Sequence, residues 1–321
     1  MRLYALHNHR RASILCRTTA WPRGAAVQPG LCQWTLLKAV LGDDNSKTGM
    51  ESTMASNGAM ITPETYSVDG ILVERYCAEP GSGSPRRKIV CVHGGTQASW
   101  AWQDCAPAFA AAGLDVHALN WLGRNGSAPL EHDQLLRMSI ADVVQDIRKV
   151  TQRFDAPPLL VGHSMGGLAC QLYAQTYETK ALLLLAPVVT RETNSDPIEM
   201  PISMDSLFSP PPREMAYTMF FQALDPARSK HYYDLLVPES PVRCYEATRF
   251  TLSVNPARIN VPVQIVSGAL DILTPAPTGE ALAKLYNAEY RVEPELGHNL
   301  TLGDKAKCLA ESLAPWLNQH A

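Results

Sequence analysis

The chain has no apolar run long enough to cross a bilayer: its cleanest, Ala181–Ala186, falls far short of the roughly 20 residues a spanning helix needs. It has no excess of either charge. Its 28 Lys and Arg face 31 Asp and Glu, a formal net charge of −3, which leaves no basic footprint for nucleic acid or an anionic membrane surface. None of the eight cysteines falls in a C-x-x-C pair, and no His stands at metal-finger spacing, so no structural zinc site is expected. Cys91 and Cys170 lie in apolar segments and read as small buried hydrophobes. Reduced thiols and a cytoplasmic setting are expected. There is no internal repeat and no long low-complexity tract.

Acidic residues are absent from Met1 to Gly42, where Arg2, Arg10, Arg11, Arg17, Arg23 and Lys38 are basic. That composition is the one found in organelle transit peptides, so a mitochondrial destination is the alternative to the cytoplasm. A plain leader, or a start placed upstream of Met50, Met54 or Met60, is the favoured account. Residues 1–60 are therefore expected to be a leader outside the fold.

What is present from about Thr65 is an alternation of strands and helices. Ile71–Cys77, Lys88–Val92, Leu114–Leu119, Pro158–Val161, Ala181–Ala186, Val261–Ser267 and Glu289–Val292 have the composition of strands. Helices are expected over Trp100–Ala112, Met138–Phe154, Met165–Tyr177, Pro277–Tyr286 and Asp304–Leu317. In the second of these, Ile140, Val143, Val144, Ile147 and Val150 recur at three- and four-residue steps, the period of one buried helix face. Almost purely apolar strands are buried on both faces, as in a parallel sheet covered by helices. Between Pro187 and Tyr245 the rhythm breaks: nine prolines occur, together with Met200, Met204, Met215, Met219, Phe208, Phe220 and Phe221. The fold class expected is α/β, a doubly wound and mostly parallel sheet with an inserted helical cap. The core is residues 61–190 and 246–321, the cap 191–245.

The chemical signal is Val161-Gly162-His163-Ser164-Met165-Gly166-Gly167. A bare G-x-S-x-G is weak, but this one follows an apolar strand and opens a helix, which is the setting of a nucleophile elbow. A serine hydroxyl needs an adjacent base. His298, in Gly297-His298-Asn299 after the last strand, is the candidate; its Gly is read as the flexibility that lets the ring reach back. His231 reads as a surface residue. Asp271, at the end of the preceding strand, is the candidate acid that orients the base, or else a cap for the helix that follows. An oxyanion hole needs two backbone N–H groups. Gly95, in His93-Gly94-Gly95-Thr96, and Met165 are the candidates, with Thr96 as the alternative to Gly95. His93 reads as a loop organiser, and His163 is expected to point away from the Ser164 oxygen.

Taken in order and spacing, His93-Gly94-Gly95, Gly162-His163-Ser164-Met165-Gly166-Gly167, Asp271 and His298 resemble the α/β-hydrolase superfamily over about residues 65–320. The branch is similar to esterases and lysophospholipases, and Gly95-Thr96-Gln97-Ala98-Ser99-Trp100-Ala101-Trp102 is similar to the loop of small-ester hydrolases. One departure stands out: Asn120 and Asn125 occupy places where relatives often carry Asp and His. The resemblance implies a serine hydrolase that cleaves a small to medium hydrophobic carboxylic ester, lactone or amide through an acyl-enzyme, with no metal or organic cofactor. Trp100, Phe220 and Phe221 are expected to line the substrate pocket. A small-molecule receptor, a C–C hydrolase, an acyltransferase or a cofactor-free haloperoxidase would carry the same residues. The partner expected is a small molecule.

Overall fold

Apolar strands with residues of opposite parity facing opposite ways need cover on both sides, and the fold supplies it. The structure, a computed structural model, describes residues 61–78 and 87–320; the expected leader, residues 1–60, lies outside the described residues. Strands β1 (Glu64–Val68) and β2 (Ile71–Tyr76) form an antiparallel hairpin. Its two-residue turn is Asp69-Gly70, both at positive φ, a short-hairpin signature. β1 was not among the strands expected: it is mostly exposed, and only the turn residues announce it.

β3 (Arg87–Val92), β4 (Leu114–Leu119), β5 (Leu159–His163), β6 (Ala181–Leu185), β7 (Val263–Gly268) and β8 (Glu289–Glu293) follow. The sheet order is β1-β2-β4-β3-β5-β6-β7-β8. β1 and β2 are antiparallel to their neighbours and the rest are parallel. Alternate residues feed two cores. Val90, Val92, Leu160, Leu182 and Leu184 face one side with Ile147 and Leu168, whereas Ile89, Cys91, Val161, Leu183 and Leu185 face the other with Phe109 and Leu313. The first side is covered by α3 (Val143–Thr151), α4 (Met165–Ala174) and α8 (Ala276–Tyr286), the second by α1 (Ala106–Ala111) and α9 (Asp304–His320), while the one-turn α2 (His132–Leu135) lies between β4 and α3.

The single helix expected over Trp100–Ala112 is split. Ser99–Trp102 is a short 3-10 turn, and the α-helix begins only at Ala106. Pro107 has no N–H to give to the carbonyl four residues back, so the helix restarts there. Between β6 and β7 lie α5 (Arg213–Phe220), α6 (Pro226–Asp234) and α7 (Pro241–Arg249). The boundary expected at residue 245 falls inside α7, whose start is marked by Ser240 and Pro241. No helix of the described residues is long and apolar enough to cross a membrane.

Candidate active site

Ser164 stands at the joint between β5 and α4 with φ 52° and ψ −121°, a conformation that costs a residue with a side chain on the order of 1–3 kcal/mol. Close packing holds the turn. A Cβ on Gly162 would lie 2.7 Å from the Gly166 carbonyl oxygen, and one on Gly166 would lie 2.3 Å from the carbonyl oxygens of Val92 and His93. Glycine is therefore required at both positions.

The Ser164 hydroxyl lies 3.0 Å from His298 Nε2, and His298 Nδ1 lies 2.9 Å from Asp271 Oδ2. A carboxylate can only accept, so Nδ1 carries the proton and Nε2 turns its lone pair to the serine. All three side chains are buried. The other Asp271 oxygen accepts the N–H groups of Leu273 and Thr274, and the Thr274 hydroxyl lies 2.7 Å from Oδ2. Asp271 thus meets His298 and closes the turn before α8 through Leu273 and Thr274; it does not cap the helix itself, which begins at Ala276 after Pro275 with no side-chain cap. Burial opposes its ionisation, but the charge of His298 and the hydrogen bonds from His298 and Thr274 prevail and hold the carboxyl down to about 2.

His163 is buried, lines the same cavity as Ser164, and turns its ring nitrogens to Gln97 Oε1 and the His298 carbonyl. Burial, reinforced by the charge of His298, pulls its pKa down to about 3. A neutral ring has one N–H. The shorter contact assigns it to Nε2, which donates to the His298 carbonyl at 2.9 Å. His93 stacks on Trp121, accepts the Trp121 N–H and reaches the Gly94 carbonyl, so it organises its loop. His231 is exposed.

Three consecutive N–H groups follow His93. Gly94 donates to Gln97 Oε1 at 3.1 Å and Thr96 to Glu239 Oε2 at 2.9 Å, which removes Thr96 as an alternative to Gly95. Gly95 N–H has no such partner among the described residues. Met165 N–H lies in the first turn of α4, where no intrahelical acceptor exists. Gly95 and Met165 line the same cavity as Ser164 and His298. A Cβ on Gly95 would press 2.6 Å from the Met165 thioether, so glycine lets the two residues meet.

The cavity encloses about 700 Å³, part of it open to solvent. Its wall is apolar, with Val188, Ile198, Met200, Phe208, Met219 and Phe220 prominent, and it contains no Lys, Arg, Asp or Glu. Phe220 lines the cavity, its ring 6.3 Å from that of His298. Phe221 and Trp100 do not line the cavity. Phe221 is 2% exposed and packs on Tyr232, and Trp100 stacks on the same tyrosine. Successive residues at a helix end project about 100° apart, so one aromatic of the pair turns inward and the other into the packing. Among the described residues, no group of three or more His, Cys, Asp or Glu converges as a metal site would require.

Several polar partners of the site were not foreseen. Gln97 Nε2 donates to Asn299 Oδ1, and Asn299 Nδ2 donates to the Phe220 carbonyl. Gln222 Oε1 accepts the His298 N–H, and a Cβ on Gly297 would lie 2.1 Å from that oxygen. Gly297 thus leaves room for the Gln222 amide. Asn120 Oδ1 accepts the Ser99 N–H and its Nδ2 donates to the Ser99 hydroxyl, away from the hydrogen bonds that join Ser164, His298 and Asp271.

The chain resembles a methylesterase, Methylesterase 7, of Arabidopsis thaliana, with 24% identity over 54% of this chain and 69% of that protein. It is similar to a monoacylglycerol lipase of Mycolicibacterium smegmatis, with 23% identity over 74% of this chain and 89% of that one. Among solved structures, a meta-cleavage product hydrolase superposes with a TM-score of 0.60 at 16% identity, covering 80% of this chain and 98% of that one. The model of the alpha/beta hydrolase family matches residues 89–309, which takes in the Ser164 turn, Asp271 and His298. The chain therefore belongs to the alpha/beta hydrolase family.

Proposed function

We propose that the chain is a serine ester hydrolase of the esterase and lipase type, acting on uncharged, apolar carboxylic esters of small to medium size. The observation that carries this is the continuous relay from Ser164 through His298 to Asp271, opening into a cavity without charged side chains. The methylesterase and lipase relatives support ester chemistry in general. Ser164 Oγ attacks the ester carbonyl carbon while His298 Nε2 takes its proton. The carbonyl oxygen becomes an oxyanion that accepts the N–H groups of Gly95 and Met165. When the C–O bond breaks, His298 returns the proton to the leaving alcohol. Water, deprotonated by the same nitrogen, then attacks the acyl-enzyme and releases the acid and Ser164. α5, α6 and the stretch from Ile198 to Phe208 act as the cap over this centre. The chemistry asks nothing of a metal or organic cofactor.

The test is a fluorophosphonate probe on the intact chain and on Ser164→Ala, followed by p-nitrophenyl esters of increasing chain length. We expect labelling and repeated turnover only with Ser164 in place, and a fall in turnover of several orders of magnitude in the variant. Undiminished labelling of Ser164→Ala would remove the nucleophile. A single slow turnover would favour a small-molecule receptor.

A further inference from the structure

We infer that Glu239 is the positioning residue of the oxyanion loop, and that it makes that loop depend on the segment between β6 and β7. This deepens, and rests on, the ester-hydrolase reading above. Thr96 has φ 57°, a left-handed conformation that is an outlier for a β-branched residue. Such a conformation persists only where its surroundings over-determine it. Here both backbone polar groups of Thr96 are held from that segment: its N–H donates to Glu239 Oε2 at 2.9 Å, and its carbonyl accepts the Val237 N–H at 2.9 Å. Gly95, the proposed oxyanion donor, is the adjacent residue.

Glu239 is itself fixed. It is fully buried, its Oε1 accepts the Ser240 N–H at 2.9 Å and faces Arg243 Nη1 at 3.4 Å, and Arg124 Nη2 reaches its Oε2. Arg124 also donates to the Pro238 carbonyl at 2.9 Å. Arg124 comes from the loop after β4. Two buried guanidinium groups around one buried carboxylate are an expensive way to stabilise a fold, since apolar residues of similar volume often serve as well. They are a good way to keep one carboxylate oxygen on one backbone N–H. The loop from Arg124, the segment from Val237 to Arg243 and the loop from Gly95 thereby meet at a single carboxylate.

The experiment compares the full chain with Glu239→Gln, which can still accept the Thr96 N–H, and Glu239→Leu, which cannot. Turnover of p-nitrophenyl butyrate is normalised to sites labelled by fluorophosphonate, and affinity is measured for a trifluoromethyl ketone, whose adduct with Ser164 places an oxyanion in the hole. For Glu239→Leu we expect kcat per labelled site to fall about tenfold to a hundredfold, ketone affinity to fall by the same factor and KM to change little. Glu239→Gln should lie between that variant and the parent. If neither variant folds, Arg124→Lys, which keeps the charge but not the forked contact, should show the same split at smaller size. Unchanged kcat and ketone affinity in a folded Glu239→Leu or Arg124→Lys protein would overturn the inference, as would a loss that follows only the number of labelled sites. A parent chain that labels at Ser164 while the variants behave normally defeats this inference alone. A parent chain that does not label at Ser164 defeats the hydrolase reading and this inference together.

Discussion

At the scale of single residues, two adjacent phenylalanines divide cavity lining from packing. Phe220 lines the cavity beside His298, whereas Phe221 is buried against Tyr232 and Tyr217. Phe220→Ala removes apolar surface that only a long acyl or alcohol group would meet. We expect kcat/KM for long-chain p-nitrophenyl esters to fall by the equivalent of about 1–3 kcal/mol, with acetate hardly affected and the melting temperature close to the parent's. Phe221→Ala should lose about 3–5 kcal/mol of stability, with no chain-length dependence in the activity of the folded fraction. Measuring both variants on both chain lengths, with melting curves, decides the matter. Equal losses on acetate and on long esters for Phe220→Ala would deny that ring a part in substrate choice.

At the scale of elements, α3 carries a buried acid whose cost should be visible in the pH dependence of stability. Asp146 is 1% exposed, and its Oδ2 accepts the Leu122 N–H at 3.1 Å, tying α3 to the loop after β4. Burial raises its pKa to about 6, against the partial relief of that hydrogen bond and of Lys149. A carboxyl whose folded pKa lies above its unfolded value of about 4 holds its proton longer in the folded state. Its contribution to stability is thus fully present below pH 4, falls between pH 4 and 6, and is level above. The size is on the order of 3 kcal/mol. Asp146→Asn should flatten that slope, read as the difference between parent and variant melting temperatures at pH 4 and pH 7. Burial raises Glu246 in the same sense and the change leaves it in place, so the difference isolates Asp146. Identical slopes in the two proteins would refute the assignment. The same elements show what a sequence can and cannot reveal. β4, β5 and β6 are wholly buried; an unbroken apolar run announced β6, the apolar residues before the Ser164 turn announced β5, and β4 was legible although Asp115 and His117 interrupt its apolar residues. Gly162 and Gly166 stand beside the residue whose conformation they permit, so the Ser164 turn was legible from a few neighbouring positions. Asp271 and His298 were legible through their places after β7 and β8. By contrast, Glu239 meets Thr96 across 143 residues, Gln97 meets Asn299 across 202 and Gln222 meets His298 across 76. Single polar contacts at such separations leave no period and no local motif. They arise only once packing has brought the loops together.

At the scale of the whole molecule, Ser164, Asp271 and His298 follow the carboxyl ends of β5, β7 and β8, the edge of an open α/β sheet at which ligands bind. No short segment can assemble this site, because each member depends on a different strand holding its place. The two cores on either side of the sheet are built from residues between Val68 and Leu317, and the family match spans residues 89–309. Among the described residues, the contacts that position the proposed chemistry all come from 61–320. A chain that starts at Met60 should therefore fold to the same sheet, with β1 beginning four residues later at Glu64. Its melting temperature should stay within about 2 °C of the full chain's, since a loss of even 1 kcal/mol would move a domain of this size by roughly 2–4 °C. Its kcat/KM on a short ester should match the full chain's within experimental error. A clear drop in melting temperature would show that residues before Met60 add contacts to one of the two cores. An unchanged melting temperature with a changed KM would instead mean that those residues reach the mouth of the cavity, and the two outcomes are separated by recording melting and kinetics on the same preparation.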